Sequence, residues 1–252
     1  MWLWCDGAHG ARENMRRDAL LLERCAAGAL AQPVLRLFRF APAGITLGHS
    51  QRAEDELDLD LLAAAGVEYA VRPTGGRAIW HDEEWTFSFT TALGEGARAA
   101  DPSAAYERTC RLVAGALVAL GAPVELAAGS PSGVGRPRGE GVAAPPCFAS
   151  TARHELLLAG RKFAGVAQRR VRDALLQQGS LLLGDSHLRL ADVIRGTAER
   201  RAATRRALAA SAAHAGAWLP PDAPLERLAG AVTGVAEVAE RFDGAAGEWL
   251  LG

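Results

Sequence analysis

Apolar residues recur at helical spacing in three segments of the first half of the chain. Residues 14–27 place several apolar side chains on one stripe, and Gly28 follows where a helix would stop. Residues 53–66 open with carboxylates, which favour a helix N-terminus, and close on a glycine. Residues 106–120 repeat the amphipathic spacing before Gly121. The pattern therefore predicts three helices.

Short apolar or alternating runs between turn residues predict the strands. They fall at 34–40, 45–47, 67–71, 77–81 and 86–91. The last three follow one another around short polar bends, which predicts a meander. Further along, 154–158 and 162–168 flank Ala159-Gly160-Arg161, which predicts a hairpin, and 175–183 predicts one more strand.

The remaining segments complete the organisation. Residues 127–146 are rich in glycine and proline and predict a flexible loop. From about residue 190 the chain is rich in alanine, which predicts a helical C-terminal segment over 190–252. The elements lack regular strand–helix alternation, and no glycine pair matches a nucleotide-binding loop. We expect one domain over 1–252 with an α/β (α+β) fold, in which helices flank a mixed, largely antiparallel sheet.

Composition argues against several classes of protein. The net charge is −1, whereas nucleic-acid and anionic-membrane partners both require a basic face. No apolar run reaches the roughly 18 residues of a membrane span. Four cysteines show neither disulfide nor metal-ligand spacing, so we expect no metal site and a reducing, cytoplasmic location.

Lys162 is the only lysine among 28 basic residues. A compact ammonium with a tunable pKa has properties that a guanidinium lacks. The alternation predicts Ala164, Val166 and Gln168 on the same face as Lys162, which would form a mostly apolar floor suited to an acyl chain. The alternative interpretation is a solvent-exposed turn lysine.

Cys147 differs from the other three cysteines in its surroundings. Cys5, Cys25 and Cys110 lie in apolar strand or helix patterns, which is typical of inert buried thiols. Cys147 follows two prolines at the end of the predicted loop and precedes polar residues. A nearby ammonium would favour its thiolate, which is the reactive form.

The segment Arg72-Pro73-Thr74-Gly75-Gly76-Arg77 is a second candidate site. Adjacent glycines let the backbone approach a ligand closely, and the two arginines supply donors. Period-two alternation places Arg77, Ile79 and His81 on one face. The alternative is an ordinary Gly-Gly hairpin with solvated arginines.

Two blocks of sequence, RPTGGRAIWHDEEWTFSF and CFASTARHELLLAGRKFAGVAQRR, resemble the biotin/lipoate protein ligase and octanoyltransferase superfamily on its lipoate-ligase-like branch. The resemblance covers about residues 14–190. One family motif is matched by Arg72, Gly75, Gly76, Arg77 and His81, and a second by Lys162, Gly165 and Gln168. It implies the catalytic-domain fold of that superfamily, with Lys162 as a catalytic residue and the others binding substrate.

Members of this superfamily activate the acyl group in two ways. Ligases form an acyl-adenylate from ATP, whereas octanoyltransferases accept a thioester, and some pass the acyl group through a cysteine. Three features make this chain most similar to the cysteine-dependent transferases. The turn lacks a third glycine and continues through Glu84 to Ser88. By the resemblance, Cys147 stands where these transferases carry their nucleophile, and we expect no accessory domain after the catalytic one. Asp82 is ligase-like and keeps a lipoate-protein ligase as the alternative.

The resemblance implies an N-octanoyltransferase of protein lipoylation. Cys147 would take octanoyl from acyl carrier protein and pass it to a lysine of a lipoyl domain in a 2-oxoacid dehydrogenase complex, or of the glycine-cleavage H protein. Transfer would require no cofactor, and ATP with Mg²⁺ would enter only if the chain is a ligase. An amidotransferase between lipoyl domains and a non-catalytic acyl- or partner-binding homologue also remain open.

Overall fold

The computed structural model describes residues 1–93, 102–127 and 155–252. The strands in these residues are β1 (Trp2–His9), β2 (Val34–Phe40), β3 (Gly44–Leu47), β4 (Glu68–Val71), β5 (Ile79–His81), β6 (Glu84–Ala92), β7 (Val124–Leu126), β8 (Leu156–Leu158), β9 (Arg161–Lys162), β10 (Ala164–Val171), β11 (Ala174–Leu182) and β12 (Glu240–Asp243). The α-helices are α1 (Ala11–Ala26), α2 (Ala53–Glu56), α3 (Leu59–Ala64), α4 (Pro102–Ala119), α5 (Leu190–Val193), α6 (Ala198–Ser211) and α7 (Leu225–Val235). Ser186–Arg189 and Gly244–Leu251 each form a 3₁₀ helix.

Six strands form the main sheet, in the order β10-β11-β6-β2-β1-β12. β1 runs parallel to β2 and β12, and the other pairings are antiparallel. This confirms the predicted mixed, largely antiparallel sheet.

The main sheet carries helices on both faces. Leu35 and Leu37 of β2 belong to the core shared with α4 and α7, whereas Arg36 points to the opposite face and contacts α1. Alternate strand residues face opposite sides of a sheet. Because both sides of β2 are covered, its polar–apolar alternation is imperfect.

The predicted meander over 67–91 is wrong. β4 and β5 lie on either side of β3, parallel and antiparallel to it respectively, and β6 belongs to the main sheet. The segment between β4 and β5 passes the end of β3 instead of folding back as a hairpin. There the His49 amide donates to the Thr74 carbonyl at 2.9 Å, and a Cβ on Gly48 would lie 2.1 Å from the Gly76 oxygen.

The predicted hairpin around Ala159-Gly160-Arg161 is confirmed for β8 and β9. Ala159 and Gly160 both adopt positive φ, at 50° and 73°. The second predicted strand, however, is divided at Phe163, which is fully buried in the core. The Phe163 amide donates to Leu156 in the small β7-β8-β9 sheet, while its carbonyl accepts from Leu182 in the main sheet. β10 therefore leaves the hairpin and joins the main sheet.

Two further predictions differ in detail from the structure. The helix predicted over 53–66 is two short helices, because Leu57 forms an isolated bridge with Ile194 and Asp58 caps α3. The predicted helical C-terminal segment contains α5, α6 and α7, but it also supplies β12, a short charged edge strand parallel to β1. Residues 128–146 of the predicted loop, with Cys147 and His154, lie outside the described residues. Within the part of the chain that is described, no helix is both long and apolar enough to cross a membrane.

Candidate active site

The turn between β4 and β5 is built around the side chain of Arg72. This guanidinium is buried, and its Nη2 donates to the carbonyls of Gly75 at 2.7 Å and Arg77 at 2.8 Å. Its Nη1 donates to the carbonyl of Thr46 on β3 at 3.2 Å. Arg72 therefore organises the turn from inside.

Two further carbonyls of the turn are also occupied. Pro73 O accepts from Arg169 Nη1 at 3.0 Å, and Thr74 O accepts from the His49 amide. The backbone N–H groups of Gly75, Gly76 and Arg77 donate to no described residue. Gly76 has φ +97°, a conformation that glycine adopts readily. The turn therefore has four carbonyls engaged, those of Pro73, Thr74, Gly75 and Arg77, and leaves N–H donors available for an anionic ligand group.

Behind the turn lies a cavity of about 20 Å³, between the β4-β3-β5 sheet and strands β10 and β11. Arg72, His81 and Gly165 line it, together with Val166 and Ser180. The structure thus brings three predicted site residues and the predicted floor residue Val166 to one place. Such a volume holds about one water molecule. An acyl tail would have to displace lining side chains to enter.

His81 is held at both ring nitrogens. Nε2 lies 2.7 Å from Thr46 Oγ1, and Nδ1 lies 2.7 Å from Glu84 Oε1. Thr46 Oγ1 also accepts from Arg72 at 3.1 Å. We therefore assign the Thr46 proton to the bond with Nε2, and the Nδ1 proton to the bond with Glu84. The ring stacks on Phe40 at 4.0 Å between centroids, so the imidazole is rigidly fixed in the cavity wall.

The other described residues of the predicted site do not line this cavity: Gly75, Gly76, Arg77, Lys162 and Gln168. β5 begins only at Ile79, so the predicted alternation does not extend back to Arg77. The Arg77 guanidinium instead pairs with Glu56 of α2 at 3.2 Å. Gln168 lies further along β10, where its Oε1 accepts from Gln177 Nε2 at 3.2 Å.

Lys162 is buried and forms an ion pair with buried Glu155, with Nζ and Oε1 2.7 Å apart. The structure contradicts both the exposed-lysine alternative and the predicted face shared with Ala164 and Val166, because β9 and β10 belong to different sheets.

Sequence reasoning assigned no role to Glu155. The register of the hairpin could have identified it. Leu157 pairs with Lys162, so the residue two positions before Leu157 lies diagonally opposite Lys162 on the same face of the two strands. Glu155 therefore becomes a site residue through its contact with Lys162.

The described cysteines match the predicted inert class. Cys5, Cys25 and Cys110 are buried free thiols. Burial raises the pKa of Cys5 to about 11 and that of Cys110 to about 12, and it also raises the pKa of Cys25. These thiols stay protonated at neutral pH and make poor nucleophiles. No group of three or more metal-binding side chains occurs in the described segments.

An open groove of about 940 Å³ adjoins the turn, between α1, β4 and the β10–β11 hairpin. Arg72 and Pro73 of the turn belong to its lining. Its other charged residues are Arg12, Arg16, Glu23, Arg169 and Arg172. Five arginines against one glutamate give the groove a positive lining, which suits an acidic partner.

A family model described as the lipoyl protein ligase A/B catalytic domain matches residues 10–232. Over 171 residues the chain is 36% identical to octanoyltransferase LipM of Moorella thermoacetica, a match that covers 68% of this chain and 60% of that protein. The match thus spans about three fifths of the curated relative's length.

Two solved structures share the fold. One is lipoate-protein ligase A bound with ATP, with a TM-score of 0.68 and 20% sequence identity. The other is a bipartite lipoate protein ligase from Thermoplasma acidophilum, with a TM-score of 0.68 and 18% sequence identity. Each match covers 99% of this chain and 91% of the other. The predicted fold is therefore confirmed. Because the family model spans most of the sequence, the chain belongs to the lipoyl protein ligase A/B catalytic-domain family.

Proposed function

We propose that this protein is an ATP-independent N-octanoyltransferase that acts through a Cys147 acyl-enzyme. The observation that carries the proposal is the state of Lys162. The only lysine of the chain is buried and paired with Glu155. In the sequence Glu155 follows Cys147 by eight residues, and it is the first described residue after that cysteine. The similarity to an octanoyltransferase supports the same reaction.

The reaction consists of two acyl transfers. The Cys147 thiolate attacks the carbonyl carbon of an octanoyl thioester on acyl carrier protein. The carrier leaves as a thiolate, which takes up from solvent the proton that Cys147 released on ionising. The amine of a lipoyl-domain lysine then attacks the new thioester, forms the amide, and releases the Cys147 thiol. Thioester-to-amide transfer is downhill, so no nucleotide enters. ATP and Mg²⁺ belong only to the ligase alternative.

Each part of the described site has a task in this scheme. The ammonium of Lys162 favours the Cys147 thiolate. The N–H groups of Gly75 and Gly76 donate to the oxyanion that forms on the thioester carbonyl. The acyl tail enters beside His81 and Val166 by displacing lining side chains, and its burial stabilises the complex by roughly 0.8 kcal/mol per CH₂.

The positive groove is the surface on which we place the acidic acyl carrier. Charge reversal at Arg12 or Arg172, both exposed, is expected to raise KM for octanoyl-acyl carrier protein about tenfold. KM for a small octanoyl thioester should stay within about twofold, because only the carrier meets the groove. Steady-state kinetics with both donors measures this. Arg108→Glu, on α4 across the main sheet, is the control and should behave as wild type; equal effects on both donors would rule out carrier docking in the groove.

Two parallel assays distinguish the transferase from the ligase. We expect acylation of a lipoyl domain from octanoyl-acyl carrier protein without ATP, detected by the mass of the acceptor. Free octanoate with ATP and Mg²⁺ should give no product. The opposite pattern would show a ligase, and no product in either assay, with the acceptor still bound, would show a non-catalytic homologue.

We also propose that residues 1–252 act as one cytoplasmic catalytic domain. The pairing of β12 with β1 near the two ends of the chain supports a single unit, and the free described cysteines suit a reducing compartment. One protease-resistant core and recovery in the cytosolic fraction are the expected results.

A further inference from the structure

A line of buried hydrogen bonds connects the middle of α1 to the glycine turn. Arg36 Nη1 donates to Asp18 Oδ1 at 2.8 Å, and Gln178 Nε2 donates to Asp18 Oδ2 at 2.6 Å. Thr74 Oγ1 then donates to Gln178 Oε1 at 2.7 Å. All four side chains are buried. A residue of the turn is therefore tied to the core through three successive side chains.

The direction of each bond in this line is fixed by charge. Arg36 also contacts Asp6, at 2.7 Å, so the guanidinium lies between two carboxylates. Because Arg36 donates to Asp18, this carboxylate acts as the acceptor in the line. Ser88 Oγ also donates to Oδ1, at 2.6 Å, but lies outside the line to Thr74. Gln178 must consequently turn its NH₂ group toward Asp18 and its oxygen toward Thr74. That oxygen needs a donor, and the Thr74 hydroxyl supplies it.

The backbone of Thr74 is also held, since its carbonyl accepts from the His49 amide at 2.9 Å. The side-chain bond to Gln178 and this backbone bond restrain one residue in two directions. The next two residues are Gly75 and Gly76, whose N–H groups donate to no described residue. Glycine restricts its own backbone less than any other residue, so the restraint must come from its neighbours.

We propose that Asp18, Gln178 and Thr74 are positioning residues that hold the Gly75 and Gly76 N–H groups in place for the acyl carbonyl. The mechanistic part of this inference rests on the proposed function. The line acts through Thr74 and not by touching the reacting atoms. A rigid donor pair needs no reorganisation when the oxyanion forms, and small misplacements of such groups are costly to the rate.

Thr74→Val tests the inference because it removes the hydroxyl and keeps the shape of the side chain. We expect kcat to fall about tenfold to a hundredfold, with KM for the donor within about twofold. Thr74→Ser keeps the donor and should retain most of kcat. If Thr74→Val does not fold, the smaller Thr74→Ala replaces it.

Ser88→Ala is the matched control. It removes a buried hydrogen bond to the same carboxylate but leaves Gln178 and Thr74 intact. Its melting temperature should fall by an amount comparable to that of Thr74→Val, while kcat stays within about twofold of wild type. Equal losses of kcat in the two variants would mean that these hydrogen bonds only stabilise the fold, and would overturn the inference.

Hydrogen exchange of the His49 amide, resolved by NMR, gives a readout independent of activity. Thr74→Val should speed this exchange about tenfold, because the Thr74 carbonyl that His49 contacts loses its side-chain restraint. Ser88→Ala should leave it unchanged, and unchanged exchange in Thr74→Val would overturn the inference. If wild-type protein transfers no acyl group, the proposed function fails, whereas the exchange result still decides whether the line restrains the turn.

Discussion

Replacing Cys147 with alanine is expected to lower octanoyl transfer at least about a thousandfold. The acyl group would have no nucleophile to receive it, and the remaining donors of the turn cannot form a covalent intermediate. Transfer from octanoyl-acyl carrier protein to a lipoyl domain measures the effect. Binding of the carrier should persist, since the positive groove is unchanged.

Cys25→Ala is the matched control for Cys147→Ala. Cys25 is a buried thiol on α1, and burial raises its pKa. Its replacement should cost some stability and leave transfer within about twofold of wild type. Transfer that survives in Cys147→Ala would eliminate the acyl-enzyme and favour direct attack by the acceptor amine.

Lys162→Met is expected to lower kcat about a hundredfold or more, the loss typical of removing one charged stabilising group from an active site. The same change leaves the Glu155 carboxylate buried without its ammonium, which destabilises the fold by roughly 3–5 kcal/mol. Kinetics and thermal unfolding of the same preparation measure the two effects.

A double variant separates the two roles of Lys162. Lys162→Met combined with Glu155→Gln removes both charges, so much of the lost stability should return, because the buried carboxylate that lost its ammonium is now neutral. Activity should remain low, since the ammonium is still absent. Recovery of activity together with stability would show that Lys162 is only structural.

Local patterns predicted those parts of the fold that depend on local interactions. The helix that ends before Gly28 and the β8–β9 turn at Ala159-Gly160 both follow from nearby residues. The meander failed because strand order depends on a distant contact, that of Gly48 and His49 with the turn. A single sequence does not reveal such a pairing.

In the candidate site, too, local motifs were predictable from the sequence and long-range contacts were not. The motif residues Arg72, His81 and Gly165 were identified from the sequence and converge on one cavity. Asp18 and Gln178 carried no signal, because a polar residue on an amphipathic helix or strand is usually solvated, and their contact joins residues 160 positions apart. Arg77 was predicted on the same strand face as His81, but β5 begins only at Ile79, so strand alternation does not extend to Arg77.

The most direct test of the acyl-enzyme uses the purified protein with octanoyl-acyl carrier protein and no ATP, followed by intact-protein and peptide mass spectrometry. We expect one octanoyl group on Cys147, labile to hydroxylamine, and none on Cys5, Cys25 or Cys110. Because Lys162 is the only lysine, a side-chain lysine amide is mapped without ambiguity. No adduct on Cys147, with acceptor acylation only from free acid and ATP, would contradict the acyl-enzyme and the transferase.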